Sequence, residues 1–410
     1  MKIWKDMKIA WRNLFRNKRR SFIAGTAIGI GLASLIFVDA LIIGMKNNMI
    51  RSATASFMGD AQIHAEGFRQ TQEVDKTIHR YEQIKTQLGK EEIIQHWAPR
   101  VTNLAMINSA ADVSSINLVG VEPDHEKYLS QIDESLIKGD FFKEENKRDI
   151  LIGVELAETL DVELGDRVVV TAAQAGTGDL SQEMFWISGI YHMHIKAMDS
   201  GMAFIKISIA QELFGLGDKI HEIAVRFPDP GYGRNEDLNF WDKYSQYGNE
   251  AEGWTEIIPQ MKAALDLSDF STYLVALILF GVVALGIINT LFMSLHERMF
   301  EFGVLRAVGT RPMGLFRLIA FEAGSLALLS IAIGLFLGFV LTYITSKVGI
   351  DYTGIEFAGV TFRDLIYPVI KTSQFIEYPI WVFVFTIIAG IYPAVHAARM
   401  NPAKAMRRSL

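Results

Sequence analysis

Four stretches of the chain are apolar without a single charge: Ser21–Val38 and Tyr378–Val395 over 18 residues each, Phe270–Leu295 over 26 and Ala323–Ser346 over 24. A hydrocarbon core about 30 Å thick needs roughly 20 apolar helical residues, so each block, with its flanks, predicts a spanning helix. The spans are taken as 21–44, 269–295, 317–346 and 377–396. Between the first two, the pattern changes to short alternating or β-rich runs bounded by turn residues: "AQIHAEGF", "RVTNLAMINS", "SSINLVGVEP", "EMFWISGIYH", "MAFIKIS" and "KIHEIAVRF". Asp75–Leu88 has helical spacing, and Asp149–Ala173 reads as a strand, a helix ending near Leu160, a Leu-Gly-Asp turn and a strand. Asp229–Gly253 reads as a loop or short helix. The expected fold is an α-helical membrane protein with four transmembrane helices plus a mixed α/β domain, 45–268, inserted between helices 1 and 2. Residues 45–60 and 254–268 regain helical character and predict stalks leading out of span 1 and into span 2.

Charge orients this plan. Basic residues crowd the arm 1–20 (Lys2, Lys5, Lys8, Arg12, Arg16, Lys18, Arg19, Arg20), the turn 296–316 with its flank (Arg298, Arg306, Arg311, Arg317) and the tail 397–410 (Arg399, Lys404, Arg407, Arg408). With four spans all three lie on one side, which the positive-inside rule makes cytoplasmic. The 45–268 domain and the loop 347–376 then lie outside, and the acidic outer domain accounts for the net charge of −6. In the arm, Ile3, Met7, Ala10, Trp11, Leu14 and Phe15 recur at helical spacing among the bases, as in a helix lying in the membrane interface. The arm is too long for the basic region of a cleaved signal peptide. The chain has no cysteine, so the outer domain does not depend on disulfides. Gly25 and Gly29 have the spacing of a close helix contact in lipid. Asp39 is expected at headgroup level, and Pro393 as a tolerated kink.

Catalytic motifs are missing from the sequence. There is no GxxxxGK[ST] loop (Gly176-Thr-Gly178 lacks the lysine), no GxSxG and no HExxH. The expectation is a chain that is not an enzyme and has no catalytic residues. His192 and His194 would share one face of a strand, but no third ligand is evident and no metal site is expected. Glu322 is an acid just inside the third span, next to its apolar block. A proton relay is the functional reading of such a residue; without a second deep acid, a capping or interhelical role fits better.

The turn between the second and third blocks, "HERMFEFGVLRAVGTRPMGLFRLIAFEA", carries the most information. Glu297, Arg298 and Glu301 lie on the polar side of a helix leaving the second span, and Phe302, Leu305 and Val308 recur near helical spacing. Gly303 leaves a shallow spot for a neighbour, Gly309 and Thr310 end the helix, and Thr310 with Pro312 suits the start of the next. The result is a short cytoplasmic amphipathic helix whose mix of acids, arginines and glycines suits a protein groove.

That segment resembles the turn between the second and third spans of FtsX/MacB-type ABC transporter permeases. "YPAVHAARMNPAKAMR" (Tyr392–Arg407) resembles the end of their last span, and "AWRNLFRNKRRSF" (Ala10–Phe22) their entry. The outer segments "DILIGVELAETLDVELGDRVVVT", "FWISGIYH" and "MAFIKISIAQELFGLGDKIHEIAVRF" are most like the LolC/LolE lipoprotein-release branch. The resemblance implies an inner-membrane permease subunit with a periplasmic domain. It also implies a coupling helix in which Glu301, Phe302, Gly303, Leu305, Arg306, Val308, Gly309 and Thr310 dock on a separate ABC ATPase, two copies per complex. ATP and Mg would be bound by that subunit and no cofactor by this chain. The other implied partners are a second permease chain, self or paralogue, a lipoprotein substrate and a periplasmic carrier, with no nucleic acid. An efflux permease like MacB, working with an adaptor and outer-membrane channel, and a signal transmitter like FtsX are the alternatives. The expected substrate path lies where spans 1 and 2 leave the membrane, at Leu41, Met45, Met49, Tyr273, Leu274 and Leu277, since the spans lack the deep polar groups of a hydrophilic channel and methionine adapts to irregular hydrocarbon.

Overall fold

The structure, a computed structural model, describes residues 8, 10–13, 16, 18–142, 148–357, 360–362 and 365–399. Of the expected interfacial arm, Ile3, Met7, Leu14 and Phe15 lie outside the described residues, as do Lys404, Arg407 and Arg408 of the tail. The chain divides into two compact units, one of residues 1–46, 266–351 and 365–410, the other of 47–265 and 352–364.

In the first unit lies the helical bundle. Among the described residues four helices are long and apolar enough to cross a membrane: Ser21–Met58, Pro259–Glu297, Pro312–Val348 and Gln374–Ala398. Each outruns its apolar block; the first expected stalk is a helical continuation of its span, and the second is so only from Pro259 onward. The bundle core joins Ile28, Leu32 and Ile36 of span 1 to Val283, Ile287 and Leu291 of span 2, with Ala323 and Leu326 of span 3 and Val382 of span 4. Small residues set its tightest contact. A Cβ on Gly29 would stand 3.0 Å from Ser330 O, and one on Gly334 would stand 2.8 Å from Gly29 O. The Gly25–Gly29 spacing therefore seats span 1 on span 3, with backbones closer than any side chain allows. Gln374 Nε2, itself buried, donates to Asp39 Oδ2 at 2.8 Å, tying span 1 to the start of span 4. Pro379 and Pro393 lie inside span 4.

The second unit is built on one mixed sheet. Its strands are β1 (Ala61–Ala65), β2 (His96–Asn108), β3 (Val113–Val121), β4 (Leu136–Gly139), β5 (Asp149–Gly153), β6 (Arg167–Ala173), β7 (Leu180–Tyr191), β8 (Met202–Lys206), β9 (Glu222–Arg226) and β10 (Asn249–Gly253). Their order is β10-β1-β9-β2-β3-β8-β5-β7-β4, with β6 bridging β2 and β7. β3 runs parallel to β8 and β5 to β7; the other pairs are antiparallel. Alternation along β3 shows how the sheet is covered on both faces. Ile116 and Leu118 point into the larger core, where helices Tyr81–Leu88, Val154–Leu160 and Ile207–Phe214 pack. Val119 and Val121 contribute to a second cluster with Phe57, Leu151, Tyr191 and Phe204.

Several expectations on local structure are corrected. Helix in the Asp75–Leu88 stretch begins only at Tyr81, because Ile78 N pairs with Ile220 O and Arg80 takes a left-handed φ of 57°. The segment 229–253, expected as loop or short helix, holds a 3₁₀ turn (Pro230–Arg234), a helix (Asn239–Tyr244) and the edge strand β10. β10 reads Asn-Glu-Ala-Glu-Gly, without the apolar alternation of a strand, and is held by backbone pairing to β1 from Ala61↔Gly253 to Ala65↔Asn249. The second stalk is interrupted: a turn of helix (Trp254–Ile257) ends before the long helix starts at Pro259. His192 and His194 lie past the end of β7 rather than on a strand face, and His194 has φ 57°.

Candidate functional site

The turn between spans 2 and 3 folds as a separate short helix, Met299–Ala307. Span 2 stops at Glu297, and Arg298, with φ −109° and ψ 16°, breaks the helix and heads the new one. Glu297 and Arg298 are therefore not on one continuous helix with Glu301, as the sequence pattern suggested. The far end closes at Gly309, whose φ of +102° is open to glycine but strained for other residues. Thr310 does not cap the next helix; Arg311 stands at its N-cap, ahead of Pro312, and Thr310 N returns to Leu305 O at 3.0 Å.

What the helix buries decides what it can present. Phe302, 2% exposed, enters a cluster with Leu295 of span 2, Leu315 and Ile319 of span 3, and Ala394 and Ala397 of span 4. Gly303 is buried beside it. Both were expected on the docking face, and both are inward, because the ends of three spans leave a gap that one phenyl ring fills. Arg306 is half-buried, and its Nη1 donates to Thr310 O at 3.1 Å, so it caps its own helix rather than facing outward. Glu301, Leu305, Val308 and Gly309 are exposed, Val308 at 83%, and Thr310 is half-buried. Val304 and Phe300 join this exposed apolar ridge, although the sequence did not single them out.

Beneath the ridge runs a chain of charges. Arg298 Nη1 donates to Glu322 Oε1 of span 3 at 2.6 Å, and Arg298 Nε to Glu301 Oε2 at 3.0 Å. Its guanidinium also lies 4.8 Å from the centroid of the Phe302 ring. From the N-terminal arm, Asn13 Nδ2 donates to Glu322 Oε1 at 2.8 Å and Arg16 Nη2 to Glu301 Oε1 at 3.0 Å. Arg298 and Glu322 are nearly buried, whereas Arg16 and Glu301 are open to solvent. Burial alone would raise the Glu301 carboxyl; hydrogen bonds and charge from Arg298 and Arg16 outweigh it and hold it below the usual carboxylate range. Glu322 is thus an interhelical tie, and three separate segments meet on two acids. Sequence reasoning found Glu322 but not its partners; an arginine at the helix break and an acid in the next span were the available signal.

The residues expected on the substrate path are not alike. Tyr273, Leu274 and Leu277 are exposed at 77%, 50% and 63%, Leu41 and Met45 are half-buried, and Met49 is buried. Met49 therefore falls outside an open apolar surface. His192 and His194 have ring centroids 3.9 Å apart, and His192 Nδ1 is 3.3 Å from Asp199 Oδ2. Among the described residues no group of three or more His, Cys, Asp or Glu is placed to hold a metal ion.

Residues 21–231 match the MacB-like periplasmic core domain family and residues 273–402 the FtsX-like permease C-terminal family. The chain belongs to the FtsX/MacB family of ABC transporter permeases. It is 22% identical to the lipoprotein-releasing system transmembrane protein LolE of Haemophilus influenzae, over 97% of this chain and 98% of that one. It is also 22% identical to the LolC protein of the same system from Neisseria meningitidis, with the same coverage. Among solved structures, the periplasmic region of MacB from Actinobacillus actinomycetemcomitans covers 50% of this chain at 13% identity and TM-score 0.33, with 94% of that region covered. The extracellular domain of the transporter YknZ covers 47% at 11% identity and TM-score 0.33, with 98% of that domain covered. This permease is an inner-membrane protein with four spans and a periplasmic domain between the first two.

Proposed function

We propose that this permease works with a separate ABC ATPase, whose hydrolysis of Mg-bound ATP drives extraction of lipoproteins from the inner membrane for transfer to a periplasmic carrier. The observation that carries the coupling is the exposed ridge of Leu305 and Val308 on a helix seated by Phe302 and fixed from below by Arg298 and Glu322. An exposed apolar ridge on a rigid seat is what a partner's groove needs to transmit movement. The substrate class rests on likeness along nearly the whole chain to proteins of lipoprotein-releasing systems. Two ATPase copies and a second permease chain, self or paralogue, complete the proposed complex. Acyl chains would meet the spans at Leu41, Met45, Tyr273, Leu274 and Leu277, apolar or amphipathic side chains that suit hydrocarbon, beside the ion pair of Lys46 with Asp269.

Photo-crosslinkers at Met45 and Leu274 in the intact membrane complex test the reading. Labelling of an acylated protein that is lost on ATP addition is the expected result. Labelling only of a second permease chain overturns the path, and an adaptor or a hydrolase in place of acylated protein in the purified complex points to efflux or signalling.

A further inference from the structure

The helix of span 1 ends in an unusual way. Its last turn, Thr54–Met58, is π-helical, a geometry rare in proteins and frequent at functional positions. The carbonyls that a helix end leaves open are here met by groups of the periplasmic sheet and its loops. Thr54 O takes the turn's own closing bond from Gly59 N at 3.0 Å and also accepts from Arg226 Nη2 at 3.4 Å, and Ser56 O accepts from Gln131 N at 3.2 Å. Phe57 O accepts from Arg100 Nη2 at 2.6 Å and Met58 O from Gln62 Nε2 at 3.0 Å. Gly59 leaves the helix at φ +76°, and a Cβ there would stand 2.8 Å from Val225 O of β9.

Arg100, on β2, organises this end. It is wholly buried, grips Glu126 with Nη2 and Nε at 2.6 and 3.0 Å, and donates to Glu222 of β9 at 3.0 Å. Its guanidinium lies 3.8 Å from the centroid of the Phe57 ring, which in turn packs on Phe204 of β8 at 5.3 Å. All these groups belong to the second unit. Apolar side chains of similar volume stabilise a core at least as well as a buried ion triad. What the triad adds is direction: charge-assisted bonds from one planar fork fix where the helix end sits.

We propose that the π-helical turn, clasped by Arg100, is the joint by which displacement of span 1 is passed to the periplasmic sheet, and that Arg100 is its positioning residue. The joint rests on the coupling reading above but is testable apart from it. The chain has no cysteine, so Asn47→Cys on the exposed helix and Ser115→Cys on the outer sheet face accept spin labels uniquely. In the full complex the distance between them should be narrowly distributed and the same with and without ATP. In Arg100→Met it should broaden, while ATP hydrolysis persists and lipoprotein release per ATP falls. An unchanged distribution with normal release per ATP overturns the proposal. Should Arg100→Met not insert, Arg100→Lys retains the charge but loses the fork and carries the same measurement. If no ATPase binds the parent chain, the coupling reading fails while the label distances still decide the joint.

Discussion

Two carboxylates illustrate how much a single residue's surroundings fix. Glu322 is nearly buried against Arg298, and removing one partner of such a pair leaves an uncompensated charge. Arg298→Met should destabilise the detergent-solubilised chain by about 3–5 kcal/mol, and Arg298→Met with Glu322→Leu should recover most of it. Thermal unfolding followed by tryptophan fluorescence measures both; equal loss in the single and double variants would show that the pair itself is not the cause. Glu252 on β10 accepts from His64 Nε2 at 3.3 Å and Arg69 Nη1 at 2.7 Å, and its pKa is lowered from 4.5 to about 2, chiefly by the His64 bond, with Arg69 adding to it against burial. A depressed folded-state pKa contributes stability above the unfolded value and loses it as pH falls through the folded one. Periplasmic-domain stability should therefore decline between pH 4.5 and about 2, and Glu252→Gln should flatten that slope in acid titrations of the unfolding midpoint. Of the two carboxylates only Glu322 stood out in the sequence, since an acid at the edge of an apolar block is conspicuous; Glu252 sits in a polar run where nothing marks a strand.

Among the elements, the short cytoplasmic helix was legible as an element, but its orientation was not. Periodicity gave one apolar face, Phe302, Leu305 and Val308, whereas the structure splits it between seat and ridge. The split depends on the ends of spans 2, 3 and 4 converging, a tertiary fact that spacing does not carry. Leu305→Asp or Val308→Asp should leave insertion intact and weaken ATPase binding by about 2 kcal/mol or more, as loss of a central interface contact does; a pull-down of the ATPase with the membrane-inserted variants checks this. Gly303→Trp should instead disturb the seat and lower stability. β10 was missed because an edge strand held by main-chain bonds needs no apolar alternation, and the π-helical exit from span 1 because its carbonyls are met by residues as distant as Arg226.

At the scale of the molecule, the four blocks and the basic clusters sufficed for the topology, because membrane thickness and charge asymmetry act directly on sequence. A reporter fused at Gly178 should behave as periplasmic and one at Arg311 as cytoplasmic; the reverse pattern would sink the arrangement. The mixed sheet's strand order was not legible, since parallel pairs such as β3 with β8 join residues 85 apart, Asn117 with Met202 among them. The tie from Asn13 to Glu322 spans 309 positions, and that separation bears on biosynthesis. Residue 13 leaves the ribosome early, but its acceptor is made only when the third span is translated. Until then Arg298 lacks its buried counter-charge and the short helix lacks its floor. The surface proposed to meet the ATPase therefore comes into being late, and a chain stalled before Glu322 carries the ridge residues without the support that would let a partner engage them.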